Sequence, residues 1–165
     1  AAVAANWLSA KSKVALLDID YHAGNGTQDI FYERGDVLTI SIHGDPDFEY
    51  PHYIGFADET GTGAGSGFHR NFPLPQDTGD AGYLVALENA LEMIRGFAPD
   101  ILVLSTGMDT FDGDPLGTFH VTRDGFKEIG KRIAGLNLPM SIIMEGGYAN
   151  EALGENVRIL LENFK

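Results

Sequence analysis

The stretch Val14-Ala15-Leu16-Leu17-Asp18-Ile19-Asp20-Tyr21-His22 decides how this 165-residue chain is read. Four apolar residues run without alternation into a carboxylate. Such a run is too short for a helix and suits a strand covered on both faces. Three more runs of this kind follow, at 37–42 entering His43, at 101–105, and at 140–144 entering Glu145. Helical patterns separate them. Residues 80–95 place Leu84, Leu87, Leu91 and Ile94 on one face, with a stop expected at Gly96 and Pro99 beyond. Thr122 is placed to cap a helix that buries Phe126, Ile129 and Ile133. A further helix spans 151–164, and the alanine-rich residues 1–10 read as a helix feeding the first strand. Alternating strands and helices predict an α/β fold, three layers deep, with a mostly parallel sheet.

Composition narrows the function classes. The longest uncharged stretch, 133–144, has twelve residues and contains Asn137 and Pro139, short of the roughly 20 apolar residues a spanning helix needs. No signal-like segment opens the chain, so a cytoplasmic protein with no membrane partner is expected. Eleven basic against 24 acidic residues give a net charge of −13, which argues against binding a nucleic-acid backbone. Between Arg34 and Arg70 stand Asp36, Asp45, Asp47, Glu49, Asp58 and Glu59 with no Lys or Arg among them. That field would attract cationic ligands, although acidic surfaces also serve solubility alone. There is no cysteine, so any metal must be held by His, Asp, Glu or carbonyl oxygen. Twenty-one glycines imply many tight loops, and the long glycine-rich segment 44–78 reads as a functional loop following a strand.

The chemistry is expected at the carboxyl ends of the strands, where open α/β sheets bind ligands. Asp20 and His22 are two residues apart and point the same way in an extended segment. Asp18 falls on that side too, and a buried Asp capping loop amides is an equally good account of the whole Asp-x-Asp-x-His string. After the third run come Asp109, Asp112 and Asp114, from which a third ligand could come, Asp109 being the first carboxylate past the strand, and after the fourth come Gly146, Gly147 and Tyr148. Tyr148 is either a rim tyrosine or a phenol able to donate to a developing oxyanion. Two carboxylates and one imidazole with an open position suit a catalytic divalent ion and amide hydrolysis.

At this point the motifs converge. Residues 18–32 (DIDYHAGNGTQDIFY), 40–46 (ISIHGDP), 59–67 (ETGTGAGSG), 71–75 (NFPLP), 105–117 (STGMDTFDGDPLG) and 144–148 (MEGGY) together resemble the arginase/deacetylase superfamily. Within it the chain is most similar to the acetylpolyamine amidohydrolases, relatives of the histone deacetylases. The resemblance implies a zinc-dependent deacetylase acting on acetylated polyamines or related acylated amines, with Zn2+ (or Fe2+) on Asp20, His22 and Asp109. It also implies Tyr148 as the oxyanion donor and Tyr50 as a wall of the substrate tunnel. A structural K+ would lie at Asp18 and Ser41, with a second monovalent site among carbonyls near Phe31, Arg34 and Val37. The partner implied is a small cationic acylated amine, and a homo-oligomer is compatible with the chain. Alternatives are a deacetylase of acetyl-lysine in proteins and a non-catalytic metal-binding remnant of the fold. A two-manganese ureohydrolase site would need more clustered ligands.

Two departures stand out. Ala23 occupies the place where the family usually carries a second histidine. The family's adjacent His-His pair, its general base and acid, is also missing from this chain, whose histidines are His22, His43, His52, His69 and His120. The expectation is therefore the C-terminal portion, residues 1–165, of a single deacetylase catalytic domain. The fold would be incomplete on its N-terminal side and the chain alone catalytically incomplete.

Overall fold

The computed structural model describes residues 1–164. Among them five strands form one sheet: β1 (Val14–Asp18), β2 (Val37–Gly44), β3 (His69–Leu74), β4 (Ile101–Thr106) and β5 (Met140–Met144). The order across the sheet is β3-β2-β1-β4-β5, and every neighbouring pair is parallel. Helices α1 (Ala2–Ser9), α2 (Asn25–Phe31), α3 (Asp80–Phe97), α4 (Arg123–Ala134) and α5 (Asn150–Leu161) alternate with the strands, except that β2 and β3 are joined by a long segment with only one short 3-10 turn, Gly63–Gly65. All residues of β1 and β2 are buried, as their unbroken apolar runs require when both faces are covered.

Alternate residues feed two cores. Leu17, Ile40, Leu102 and Leu104 pack toward α3, α4 and α5 with Leu87, Leu91, Phe126, Ile129 and Leu160. Val14, Leu16, Val37 and Val103 pack the other way, against Ala5 of α1 and Phe31 of α2. The result is the three-layer α/β/α arrangement expected from the sequence. Helix α4 starts at Thr122, whose hydroxyl accepts the Gly125 N–H at 3.1 Å. Such a cap satisfies one of the donors a helix start leaves open.

Two elements were not anticipated. Strand β3, inside the segment read as loop, turns the buried side chains His69 and Asn71 inward, so no apolar alternation marks it, and Pro73 is tolerated because β3 is an edge. Helix α2 is seven residues long and contains Gly26, too short for a visible period. A third departure is the end of α3. The helix passes through Gly96 to Phe97 and stops where Ala98 takes the left-handed conformation, φ 52°. Pro99 disfavours the right-handed helical conformation for the residue before it.

Strand succession runs one way from β1 through β2 to β3 and the other way from β1's opposite neighbour β4 to β5. The order therefore reverses between β1 and β4. A crevice opens beyond the carboxyl ends of strands at such a reversal.

Candidate metal centre

Asp20 and His22 leave the end of β1, and Asp109 leaves the end of β4, on the two sides of that crevice. One ligand atom from each lies within 4.8 Å of the other two. His22 Nδ1 stands 3.3 Å from Asp20 Oδ1 and 3.2 Å from Asp109 Oδ2. Backbone donors hold the carboxylates in place. Asp20 Oδ1 accepts the His22 N–H at 2.9 Å, and Asp20 Oδ2 accepts the Gly146 N–H at 2.8 Å. Asp109 Oδ1 accepts the Tyr21 N–H at 2.9 Å. Asp109 is fully buried.

The backbone is shaped around these oxygens. A Cβ on Gly146 would come 2.6 Å from Asp20 Oδ2 and would overlap Asp109 Oδ2. A Cβ on Gly107 would stand 2.5 Å from Asp109 Oδ1 and overlap Asp20 Oδ2. Only glycine lets two strand-end loops close on two carboxylates this tightly.

The electrostatics are those of a cation site. Hydrogen bonds to Asp109 and then to Asp20 raise the His22 imidazole to about 10, against the cost of burial. Burial pushes Asp109 above the usual carboxylate range, opposed by its bond to His22 and reinforced by the charge of Asp20. Burial also acts upward on Asp20, but the His22 side chain and the His22 and Gly146 amides together hold it low. A proton on His22 thus sits where two carboxylates call for positive charge. A divalent ion would supply that charge in its place and leave the imidazole neutral to act as a ligand. The donor set and its glycine-lined cradle fit a metal of the zinc kind.

Tyr148 borders the same cavity, about 600 Å³, together with Asp20, His22 and Gly146. Its side of the site is built differently. Asp114 Oδ2 accepts the N–H groups of Tyr148 at 2.7 Å and Ala149 at 3.0 Å, while Oδ1 accepts that of Leu116 at 3.0 Å. Asp114, a candidate third ligand by sequence, lies outside the cluster and holds these amides instead. The signal was there in Asp-Pro following a glycine, a turn whose carboxylate is free to bind amides. Tyr148 remains 44% exposed. Burial and then the charges of Asp109 and Asp20 raise its phenol, which keeps it a hydrogen-bond donor.

The remaining candidates fall into place around this centre. Tyr50 presents its ring 6.3 Å from the His22 ring and is largely exposed. Asp18 is separate from the three-residue cluster. It pairs in register with Ser41, its Oδ1 accepts the Asp20 N–H at 3.0 Å, and burial raises it to about 8. Of the five histidines only His22 joins the cluster. His43 bonds Ser41 and the Gly55 carbonyl, His69 bonds Thr39 and Gln28, and His120 lies between Asp112 and Asp77.

Comparison with known proteins is decisive for the family: residues 1–164 match the histone deacetylase domain. The chain belongs to that family. It is 51% identical to acetylpolyamine amidohydrolase 1 of Pseudomonas aeruginosa, covering 93% of this chain and 44% of that protein. To the acetylpolyamine amidohydrolase of Mycoplana ramosa it is 45% identical, over 98% of this chain and 48% of the relative. The crystal structure of an acetylpolyamine aminohydrolase from Burkholderia pseudomallei superposes with a TM-score of 0.96 at 46% identity, over 99% of this chain and 48% of the other. The chain thus spans about half the length of the relatives it matches, and its five-stranded parallel sheet is the histone deacetylase-type fold. Among the described residues no helix is long and apolar enough to cross a membrane.

Proposed function

We propose that this chain carries the metal-binding and oxyanion-binding side of a zinc-dependent amidohydrolase that removes acetyl groups from acetylated polyamines. The observation that carries the reading is the convergence of Asp20, His22 and Asp109 beside a cavity that Tyr148 shares. Zinc, when bound, supplies Lewis acidity toward the amide carbonyl and makes water a competent nucleophile near neutral pH. Asp20, His22 and Asp109 would hold it. The Tyr148 phenol donates to the carbonyl oxygen as negative charge develops there, which is where such a donor contributes most. Tyr50 stands where it can flank the acyl group next to His22.

The departing amine also needs a proton, and none of the histidines outside the cluster stands free as an adjacent pair to give it. We therefore assign that acid to a part of the catalytic domain beyond these residues. The edge position of β5, with Ile142 and Met144 exposed, supports a domain that extends past that strand. Asp18 and Ser41 are assigned a structural K+, supported by the in-register pairing of a buried carboxyl with a buried hydroxyl across β1 and β2. Polyamine substrates are favoured by the 45–51% identity to acetylpolyamine amidohydrolases and by the net charge of −13.

The test is hydrolysis of acetylputrescine and of an acetyl-lysine peptide by the full-length protein, with zinc and after chelation. The expected result is a kcat/KM at least about 10-fold higher for acetylputrescine, a difference of about 1.4 kcal/mol in transition-state binding, lost on chelation and restored by zinc. A preference for the peptide would move the reading to protein deacetylation. Hydrolysis of neither would leave a metal-binding remnant of the fold.

A further inference from the structure

Tyr21 lies between Asp20 and His22 in sequence, yet its hydroxyl serves a different task from theirs. The ring is fully buried, edge-on to His22 at 5.1 Å and to Phe119 at 4.8 Å. Its carbonyl accepts the Gly44 N–H at 2.8 Å. Its hydroxyl is 2.8 Å from Glu49 Oε2 and 2.8 Å from Thr118 Oγ1. An ionised carboxylate can only accept, so the phenol proton goes to Glu49, and the Thr118 hydroxyl donates into the phenol oxygen. The second oxygen of Glu49 accepts the N–H of Tyr50 at 3.0 Å. One polar chain thus joins the segments that follow β4, β1 and β2, and it ends at the backbone of the residue that flanks His22. Tyr50 is 62% exposed, so its ring has little packing of its own to fix it.

We propose that the Tyr21 hydroxyl is a positioning residue that fastens segment 45–53 through Glu49 and so sets the Tyr50 ring beside His22. The inference rests on the amidohydrolase reading for its functional consequence and on the geometry for the clamp itself. Glu49 here is a structural carboxylate with both oxygens engaged by the protein, unlike a free anionic receptor for the substrate's ammonium. Loss of the clamp should weaken substrate binding and leave the chemical step alone, since Tyr50 contacts ground state and transition state alike.

The experiment uses the full-length protein with Tyr21→Phe, Glu49→Ala, Glu49→Gln and the double variant Tyr21→Phe/Glu49→Ala. Three readouts are taken: zinc content, steady-state kinetics on acetylputrescine, and amide hydrogen exchange. Tyr21→Phe and Glu49→Ala should each raise KM about 3- to 10-fold, the usual range for one net hydrogen bond, with kcat and zinc content little changed. Exchange should quicken in 45–53 and remain as it was in β1 and α3. Glu49→Gln, which keeps an acceptor for the phenol, should recover most of the effect, and the double variant should be no worse than either single one. Quickened exchange without a rise in KM would overturn the positioning role, and unchanged exchange would overturn the clamp. A joint loss of kcat, zinc and global protection would show that Tyr21 is merely a core residue. If the unaltered protein hydrolyses no acetylated amine, the amidohydrolase reading fails by itself. The exchange comparison then decides the clamp alone, quickened 45–53 supporting it and unchanged 45–53 refuting it.

Discussion

The two flanks of the metal centre are held by opposite means. On the β2–β3 flank the long segment after β2 is fastened by a buried polar network. Glu59 Oε2 accepts the Gly55 and Phe56 N–H groups at 2.6 and 2.9 Å and the Gln28 amide at 3.0 Å. Gln28 Oε1 in turn accepts from Asn71 at 2.9 Å and lies 2.8 Å from His69 Nε2, while His69 Nδ1 meets Thr39 at 2.7 Å. On the β4–β5 flank Gly146 is tied to Asp20 and Met108, but the next amides along, those of Tyr148 and Ala149, rest on the single carboxylate of Asp114, beside a strand that is partly exposed along its length. Asp20, His22 and Asp109 sit between, just past the ends of the central strands β1 and β4, whose register brings them together. Redundant support gives a rigid wall, and single support gives a residue whose position one substitution can undo. Of the six carboxylates between Arg34 and Arg70, Glu49 and Glu59 serve as internal scaffolding, Glu49 holding the Tyr21 phenol and the Tyr50 N–H and Glu59 the Gly55 and Phe56 N–H groups, whereas Asp36, Asp47 and Asp58 are exposed.

Acid should break the rigid flank first. Burial depresses the His69 imidazole to about 4 from 6.5, and burial lowers His43 as well. With a depressed folded-state value, the stabilisation is whole above pH 6.5 and is lost as pH falls toward 4, because the unfolded chain takes up the proton earlier. For His69 alone the loss approaches about 3 kcal/mol at 1.36 kcal/mol per unit. Urea midpoints at pH 7.5 and pH 4.5 should differ accordingly, and the gap should shrink in His69→Gln. An undiminished gap would place the acid sensitivity elsewhere. A smaller effect is expected on the weak flank. Asp114→Ala strips the acceptor from the Tyr148 and Ala149 amides, so kcat of the full-length protein should fall about 10-fold with KM nearly constant, the pattern of a lost transition-state contact. A rise in KM alone would mean that Tyr148 serves binding.

The same contrast explains what could be read from the sequence. The four central and β5-side strands announce themselves as apolar runs because the sheet is covered on both faces, and their carboxyl ends name Asp20, His22, Asp109 and Tyr148. Strand β3 and helix α2 were hidden because their inward residues, Gln28, His69 and Asn71, are polar and satisfied by one another. A hydrogen-bonded interior leaves no hydrophobic period to detect. The partners of Asp114 and the Tyr21–Glu49 contact were illegible for another reason. They join residues 34 and 28 positions apart, and only the sheet order brings those segments together. Separation of Asp18 from the ligand cluster follows from its place on β1 itself, paired with Ser41, whereas Asp20 lies past the strand.

The account turns on Asp20, His22 and Asp109 sharing one divalent ion. Asp109→Asn keeps the acceptor for the Tyr21 N–H and nearly the same shape while removing one negative charge, so it tests the metal rather than the fold. Zinc retained by the full-length protein after dialysis against a competing chelator should be one ion per chain before substitution. In Asp109→Asn the affinity should drop at least about 100-fold, the upper end of what loss of even an outer-sphere partner costs, with unchanged far-ultraviolet circular dichroism. Equal zinc retention by the two proteins would contradict the shared centre.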